Sequence, residues 1–243
     1  MKGALVPPDL DLDLVVRSHG WYDLPPFDWD AAKGRLSFCA EIEGAAVRIA
    51  VSRTANGISV SASPKVPVAK LRGVLSRVLD LSADLDAFHA ACAARAREGF
   101  GWIAERRAGR ILRAPTLFED SVKVLATTNC TWGLTRIMVT NLVAGRGTGA
   151  FPGPAFLAGL GEARLKEEMK LGYRAPYLAR FAENVASGRL DLARWEDPDR
   201  PDAEVEKEIL AQPGFGPYAA QTLGRLLGRH AKLGLDSWSR KKV

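Results

Sequence analysis

The stretch Pro213–Trp238 reads PGFGPYAAQTLGRLLGRHAKLGLDSW, and the reading of the whole chain turns on it. Gly214 and Gly216, two glycines within three residues, reach backbone angles closed to other residues and let an anion approach the main chain with no Cβ in the way. Pro217 suits the first position of a helix, whose unsatisfied N–H groups then point back at the turn. Such an end attracts anions. The helix so opened carries Ala220, Leu223, Leu226 and Leu227 on a buried face, with Arg225 and Arg229 off it. Tyr218 follows the second glycine by two residues, and Asp236 lies eighteen residues further on. Taken alone, the glycine turn serves a tight connection as readily as a phosphate clamp.

Upstream, apolar residues recur with helical period. Asp202 is placed to cap a helix starting near Ala203, after an acidic loop over 191–202. Helices are expected over Ala175–Val185 and Ala163–Leu171. Gly145–Gly149 is a glycine-rich run, but no Gly-Lys-Ser/Thr follows and no strand precedes it, so it is not a nucleotide phosphate loop. A helix is expected over Trp132–Val143. Before it, Thr116 and Glu119 have the spacing of a capping box that starts a helix near Leu117. That helix runs out at Thr127-Thr128-Asn129, where short polar side chains compete for the backbone. Arg106, Arg107, Arg110 and Arg113 form a basic cluster, which suits a solvated face and a phosphate-contacting one equally well. An alanine-rich helix is expected over Ala87–Ala96, and Leu71, Val74, Leu75, Val78 and Leu79 make the stripe of another.

Towards the N-terminus the period changes to two. Leu36 to Ile42, Val47 to Val51 and Ile58 to Ala62 alternate apolar with polar or small residues, separated by the turn dipeptides Glu43-Gly44 and Asn56-Gly57. Pro64 and Pro67 end this meander. The same alternation predicts a strand over Leu10–Val16, while Trp21, Pro25, Pro26 and Trp29 read as an irregular loop. The expected class is α+β: an N-terminal antiparallel sheet domain with a closing helix over 1–81, then an all-α domain over 82–243.

The chain has 243 residues and is 47% hydrophobic, enough for a real core. Its 34 Lys and Arg against 28 Asp and Glu give a net charge of +6. Residues 1–80 hold ten basic against nine acidic side chains, and residues 81–243 hold 24 against 19, so the excess sits in the later domain. A polyanion is a natural partner. Cys39, Cys92 and Cys130 lie far apart without a CxxC, which speaks against zinc and against a disulfide framework. With no apolar run of signal-peptide or membrane-spanning length, no membrane partner and a cytoplasmic location are expected.

Glu208–Trp238 resembles the helix-hairpin-helix (HhH-GPD) motif of a DNA glycosylase superfamily, in which a glycine/proline-rich hairpin is followed by a catalytic aspartate. The spacing from Tyr218 to Asp236 agrees with that pattern. VLSRVLDLSADLDAFHAAC over 74–92 and GRILRAPTLFEDSVKVLATTNCTW over 109–132 are similar to its 8-oxoguanine and 3-methyladenine glycosylase II branch. The resemblance implies base excision repair: a damaged base, an alkylated or deaminated purine, is flipped out of double-stranded DNA and its N-glycosidic bond is hydrolysed. It implies Asp236 as the catalytic carboxylate, Tyr218, Trp132 and Trp238 as base-pocket residues, Asn129 as the residue filling the gap left by the flipped nucleotide, and Gly214, Phe215 and Gly216 as the phosphate-binding hairpin.

Tyr218 stands where bifunctional members have a lysine, and tyrosine cannot form a Schiff base. The resemblance therefore implies a monofunctional enzyme, and a monomer is expected on the DNA. The iron-sulfur cysteines of other branches are absent, and no cofactor or metal is expected. Family members continue past the position of Val243, which implies a C-terminally incomplete helical body over 82–243. Two other readings stand beside this one: a non-catalytic damaged-DNA-binding protein, and a bifunctional glycosylase/lyase using another amine such as Lys232, Lys241 or Lys242.

Overall fold

The computed structural model describes residues 5–232 and 234. Its class is α+β, a four-stranded antiparallel sheet near the N-terminus followed by helices. The strands β1 (Asp28–Asp30), β2 (Arg35–Ile42), β3 (Ala45–Thr54) and β4 (Gly57–Ser63) lie side by side in chain order. Phe38 faces Ile49, and Val51 faces Val60. The alternation expected from the sequence is what the sheet uses. Leu36, Phe38, Ala40, Ile42, Val47, Ile49 and Val51 are buried, whereas Ser59, Ser61 and Ser63 are exposed. β1 lies in a stretch read from the sequence as irregular; three residues are too few to register a period.

The expected first strand is a helix. Residues Leu12–Val16 form α1, capped by Asp11, whose carboxylate accepts the N–H of Leu14 at 3.2 Å. Leu12, Val15 and Val16 are buried, at the i, i+3, i+4 spacing of a helix face. The alternating aspartates fitted both periods, and the cap decided between them.

Two compact units divide the chain: residues up to Pro115 with 148–150, and residues 116–147 with those from Phe151 onward. The expected junction after residue 81 does not coincide with this division. The helices α2 (Val68–Val78), α3 (Asp86–Ala94) and α4 (Gly101–Glu105) all belong with the sheet. The reason lies in the basic cluster. Arg110 donates to the carbonyls of Asp80 and Ala83, Arg113 pairs with the buried Asp80 at 3.0 Å, and Arg106 pairs with Asp11 at 2.7 Å. Ser18 Oγ accepts the N–H of Leu112 at 2.9 Å, and Arg77 donates to the carbonyl of Ala114 at 2.9 Å. Three arginines of the cluster thus tie residues 106–114 back to the first unit.

The second unit contains α5 (Leu117–Thr127), α6 (Trp132–Arg146), α7 (Pro154–Glu167), α8 (Ala175–Ala186), the short α9 (Ala193–Glu196), α10 (Asp202–Leu210) and α11 (Pro217–Leu226). Thr116 caps α5 by accepting the N–H of Glu119 at 3.1 Å, as its spacing predicts. α5 is buried along nearly its whole length, including an internal pair in which Lys123 Nζ lies 2.6 Å from Glu119 Oε1. α7 starts nine residues before the expected Ala163 and kinks at Gly161. α10 starts at Asp202 itself, behind Pro201. Among the described residues, no helix is long and apolar enough to cross a membrane.

Replacing Asp11 by alanine removes both the α1 cap and the partner of Arg106. Urea unfolding is expected to show a loss of about 1–2 kcal/mol. A loss within about 0.3 kcal/mol would mean that α1 is held by its apolar face alone.

Candidate functional site

α10 and α11 are joined by the glycine turn, and α11 packs against both α10 and α5. Gly214 sits at φ +84, in the left-handed region. A Cβ there would lie 2.7 Å from Cδ2 of Tyr177 on α8 and 2.9 Å from Cδ1 of Leu125 on α5. Only glycine allows that conformation and that approach together. Gly216 has an ordinary φ of −85 and open space around it; it is the N-cap of α11, with Pro217 as first helical residue.

Phe215, between them, points into the core. It is buried and packs on Phe181 with ring centroids 5.1 Å apart, and its N–H is taken by the carbonyl of Gln212 at 3.1 Å. Phe215 therefore anchors the turn in the core, while the residue still borders the cleft. Among the described residues, the N–H groups of Gly214, Gly216, Tyr218 and Ala219 have no protein acceptor. They are four neutral donors within six residues at a helix N-terminus.

These donors border an open cleft of about 1070 Å3. One wall is the turn and the first residues of α11, Tyr218 among them. The other is the end of α5, where Thr128 and Asn129 meet Tyr173 and Tyr177. Asn129 and Tyr218, far apart in sequence, thus line the same space as Gly214 and Gly216. Asn129 has φ +47, a left-handed angle that asparagine tolerates better than most residues. The carbonyl before it, that of Thr128, accepts hydrogen bonds from the buried Arg174 and from Tyr173 Oη. Arg174 also lies 4.5 Å from the centroid of the Tyr173 ring. None of the cleft's described lining residues is Lys, Arg, His, Asp or Glu. An anion entering it is met by amides, hydroxyls and aromatic rings.

Trp132 lies elsewhere. It opens α6, is 39% exposed and does not line the cleft. Asp236 and Trp238 lie outside the described residues. The sequence reading did not single out Tyr173, Tyr177 or Gln212, which also line the cleft. The signal available for the two tyrosines is that they stand close together at the start of an expected helix, Tyr173 in the 3-10 turn Gly172–Arg174 and Tyr177 in the first turn of α8.

Around the turn, α10 and α11 are held by arginines. Arg229, expected to face away from the core, is only 10% exposed in its side chain. It donates to the carbonyls of Arg200 at 2.7 Å and Asp197 at 2.7 Å and to Asp202 Oδ1 at 2.6 Å. Arg200 forms a two-pronged pair with Glu208 at 2.8 and 3.0 Å, and the buried Trp195 donates its indole N–H to the same carboxylate at 3.0 Å. The hydrogen bonds from Arg200 hold the Glu208 carboxyl below its ordinary range, opposed by partial burial and helped by Trp195. Lys232 is tied to Glu206 at 2.5 Å, a residue of α10 that does not line the cleft. Among the described residues, no group of three His, Cys, Asp or Glu side chains could hold a metal ion.

The chain matches no family model and no curated protein. Among solved structures it is similar to a 3-methyladenine DNA-glycosylase from Archaeoglobus fulgidus, with a TM-score of 0.72 at 16% identity over 90% of this chain and 77% of that one. The likeness is one of fold.

Two outcomes are expected from this geometry. Gly214→Ala should cost about 1–3 kcal/mol in chemical denaturation, through strain and the clash with Tyr177, whereas Gly216→Ala should cost less than about 1 kcal/mol. Because the folded-state pKa of Glu208 is depressed, its contribution is present above the unfolded value of about 4.3 and is lost as pH falls through the folded one. Glu208→Gln should therefore lower the thermal midpoint at neutral pH. That gap should close as the solution is acidified below about pH 4.

Proposed function

We propose that the chain is a monofunctional DNA glycosylase of base excision repair. It takes double-stranded DNA carrying a damaged base, an alkylated or deaminated purine, extrudes that base and hydrolyses its N-glycosidic bond. The observation that carries this reading is the cleft. The amides of the turn, which have no acceptor among the described residues, border one space with Tyr218 and Asn129, in a fold similar to that of a 3-methyladenine DNA-glycosylase.

The roles follow from the chemistry of the groups. The amides of Gly214, Gly216, Tyr218 and Ala219 hold a phosphate next to the lesion without reading sequence. Asn129 takes the space vacated in the duplex. Extrusion costs a few kcal/mol and is cheapest at damaged or mispaired bases, which selects for lesions before any contact is made. Tyr218 stacks on the extruded base, an interaction of about 1–3 kcal/mol.

As the bond from C1′ to the base breaks, its electron pair leaves with the base and positive charge grows on the sugar. Asp236 stabilises that charge. A carboxylate about 4 Å away contributes roughly 4 kcal/mol at an effective dielectric near 20, about three decades in rate. Water then adds to C1′ and gives up a proton, leaving an abasic site. Tyr218 offers no amine for a covalent intermediate, and Lys232 is engaged by Glu206.

The test is a panel of duplexes with single lesions, incubated with the protein and then heated in alkali. At least one lesion should yield strand breaks that depend on the alkali step, and borohydride should trap no protein–DNA adduct. Asp236→Asn should slow single-turnover base release about a thousand-fold while leaving affinity for a duplex with an abasic analogue within a few-fold. Unchanged release in that variant overturns the mechanism, and a trapped adduct overturns the monofunctional assignment. Binding of the abasic duplex with no base released from any lesion would identify a non-catalytic damage-binding protein instead.

A further inference from the structure

The first unit exposes three aromatic rings on one pair of helices. Phe88 on α3 is 45% exposed, Phe100 just before α4 is 42% exposed and Trp102 within α4 is 47% exposed. Single exposed apolar residues are ordinary, but three large rings on one short hairpin call for a ligand. Their placement is built in. α3 and α4 pack on each other. The chain comes close at Gly101, the first residue of α4, where a Cβ would lie 3.0 Å from that of Ala96, and Phe100 and Trp102 flank that glycine. The Phe88 ring lies against Gly109, 3.0 Å from where a Cβ would stand.

Cations accompany the rings. From Asp84 to Ala108 four arginines, Arg95, Arg97, Arg106 and Arg107, balance four acids, Asp84, Asp86, Glu98 and Glu105, so what a phosphate could meet depends on which arginines the acids leave open. The Arg95 guanidinium lies 5.6 Å from the Phe100 centroid while pairing with Glu98 at 2.8 Å. Arg106 is engaged by Asp11. Arg97 and Arg107 are exposed. Exposed flat rings interleaved with arginines match the chemistry of unpaired bases on a phosphodiester chain: each base can lie on a ring while its phosphate sits beside a guanidinium. A paired duplex hides the faces of its bases and cannot use the rings in this way.

We propose that the α3–α4 hairpin is a binding platform for single-stranded nucleic acid, with Trp102 and Phe100 as stacking residues, Phe88 on α3 as a third ring, and Arg97 and Arg107 as phosphate contacts. This inference does not rest on the reading of the cleft. Tyr218 and Asp236 take no part in it.

The experiment uses the full chain and a fluorescein-labelled oligothymidylate, followed by fluorescence anisotropy across a salt series. An oligouridylate arm separates a DNA ligand from an RNA one. The expected result is binding that quenches tryptophan emission, weakens about tenfold in Trp102→Ala and is largely kept in Trp102→Phe, which preserves a ring. Arg97→Ser and Arg107→Ser should each reduce the log-log salt slope by about 0.7. All of these side chains are exposed or lie on an open surface, so thermal midpoints should not move, and a variant whose midpoint falls is replaced by its neighbour in the set.

The proposal is overturned if neither oligonucleotide binds, if Trp102→Ala and Trp102→Phe behave alike, or if an undamaged duplex competes as well as the single strand. It is also overturned if sedimentation shows a concentration-dependent dimer that Trp102→Ala abolishes. The rings would then be a face for a second copy of the chain.

Discussion

At Gly214 the main chain comes so close to the Tyr177 ring and to Leu125 that no side chain fits between them. That single approach fixes the turn against α8 and α5 at once. It sets the direction in which α11 leaves the turn, and with it where the first amides of that helix point. Phe215 completes the arrangement by sinking into the core against Phe181, so that the turn is held from behind while its front stays open to the cleft. A residue in the left-handed region is costly for any side chain but glycine's hydrogen. Here the conformation is used to bring backbone, not side chains, to the surface of the site.

Arginine does much of the remaining work, and it does so internally. Arg229 joins the end of α11 to the 195–202 segment, Arg200 joins that segment to Glu208 on α10, and Arg174 holds the Thr128 carbonyl next to Asn129. In the first unit Arg110 and Arg113 do the same for the segment following α4. A planar fork with five donors can satisfy several carbonyl oxygens at a loop where regular structure ends, which lysine cannot do with equal geometry. The net charge of +6 therefore overstates what is offered to a polyanion. The cleft itself is lined without any cation among its described residues, so attraction there depends on dipoles and on neighbouring surface.

Much of the fold was legible in the sequence. The sheet followed from strict alternation over 36–62, α5 from Thr116 and Glu119, and α11 from Pro217 and the leucines behind it. The candidate site was legible in part. Gly214, Phe215, Gly216, Tyr218 and Asn129 are legible as candidates and border one cleft, Phe215 while also packing in the core, whereas Trp132 does not line it. The strand expected at Leu10–Val16 failed because alternating Leu and Asp over so short a span fits two periods, and a cap settled which one folds. Tyr173 and Tyr177 are not legible as site residues, because one stands in the turn before α8 and the other on that helix, and only the fold sets both beside Thr128 and Asn129.

The sequence by itself determined the order and type of most elements, the left-handed turn at Gly214 and the absence of an amine at position 218. These depend on local backbone preference and on periodicity, which act between residues close in the chain. Only the tertiary structure decided where the first unit ends, which arginines are spent on internal carbonyls, and which aromatic residues line the cleft or stand exposed. Those outcomes depend on partners tens of residues away, such as Thr128 for Arg174, Asp197 for Arg229 and Asp80 for Arg113. No local pattern records a carbonyl oxygen that folding brings within reach.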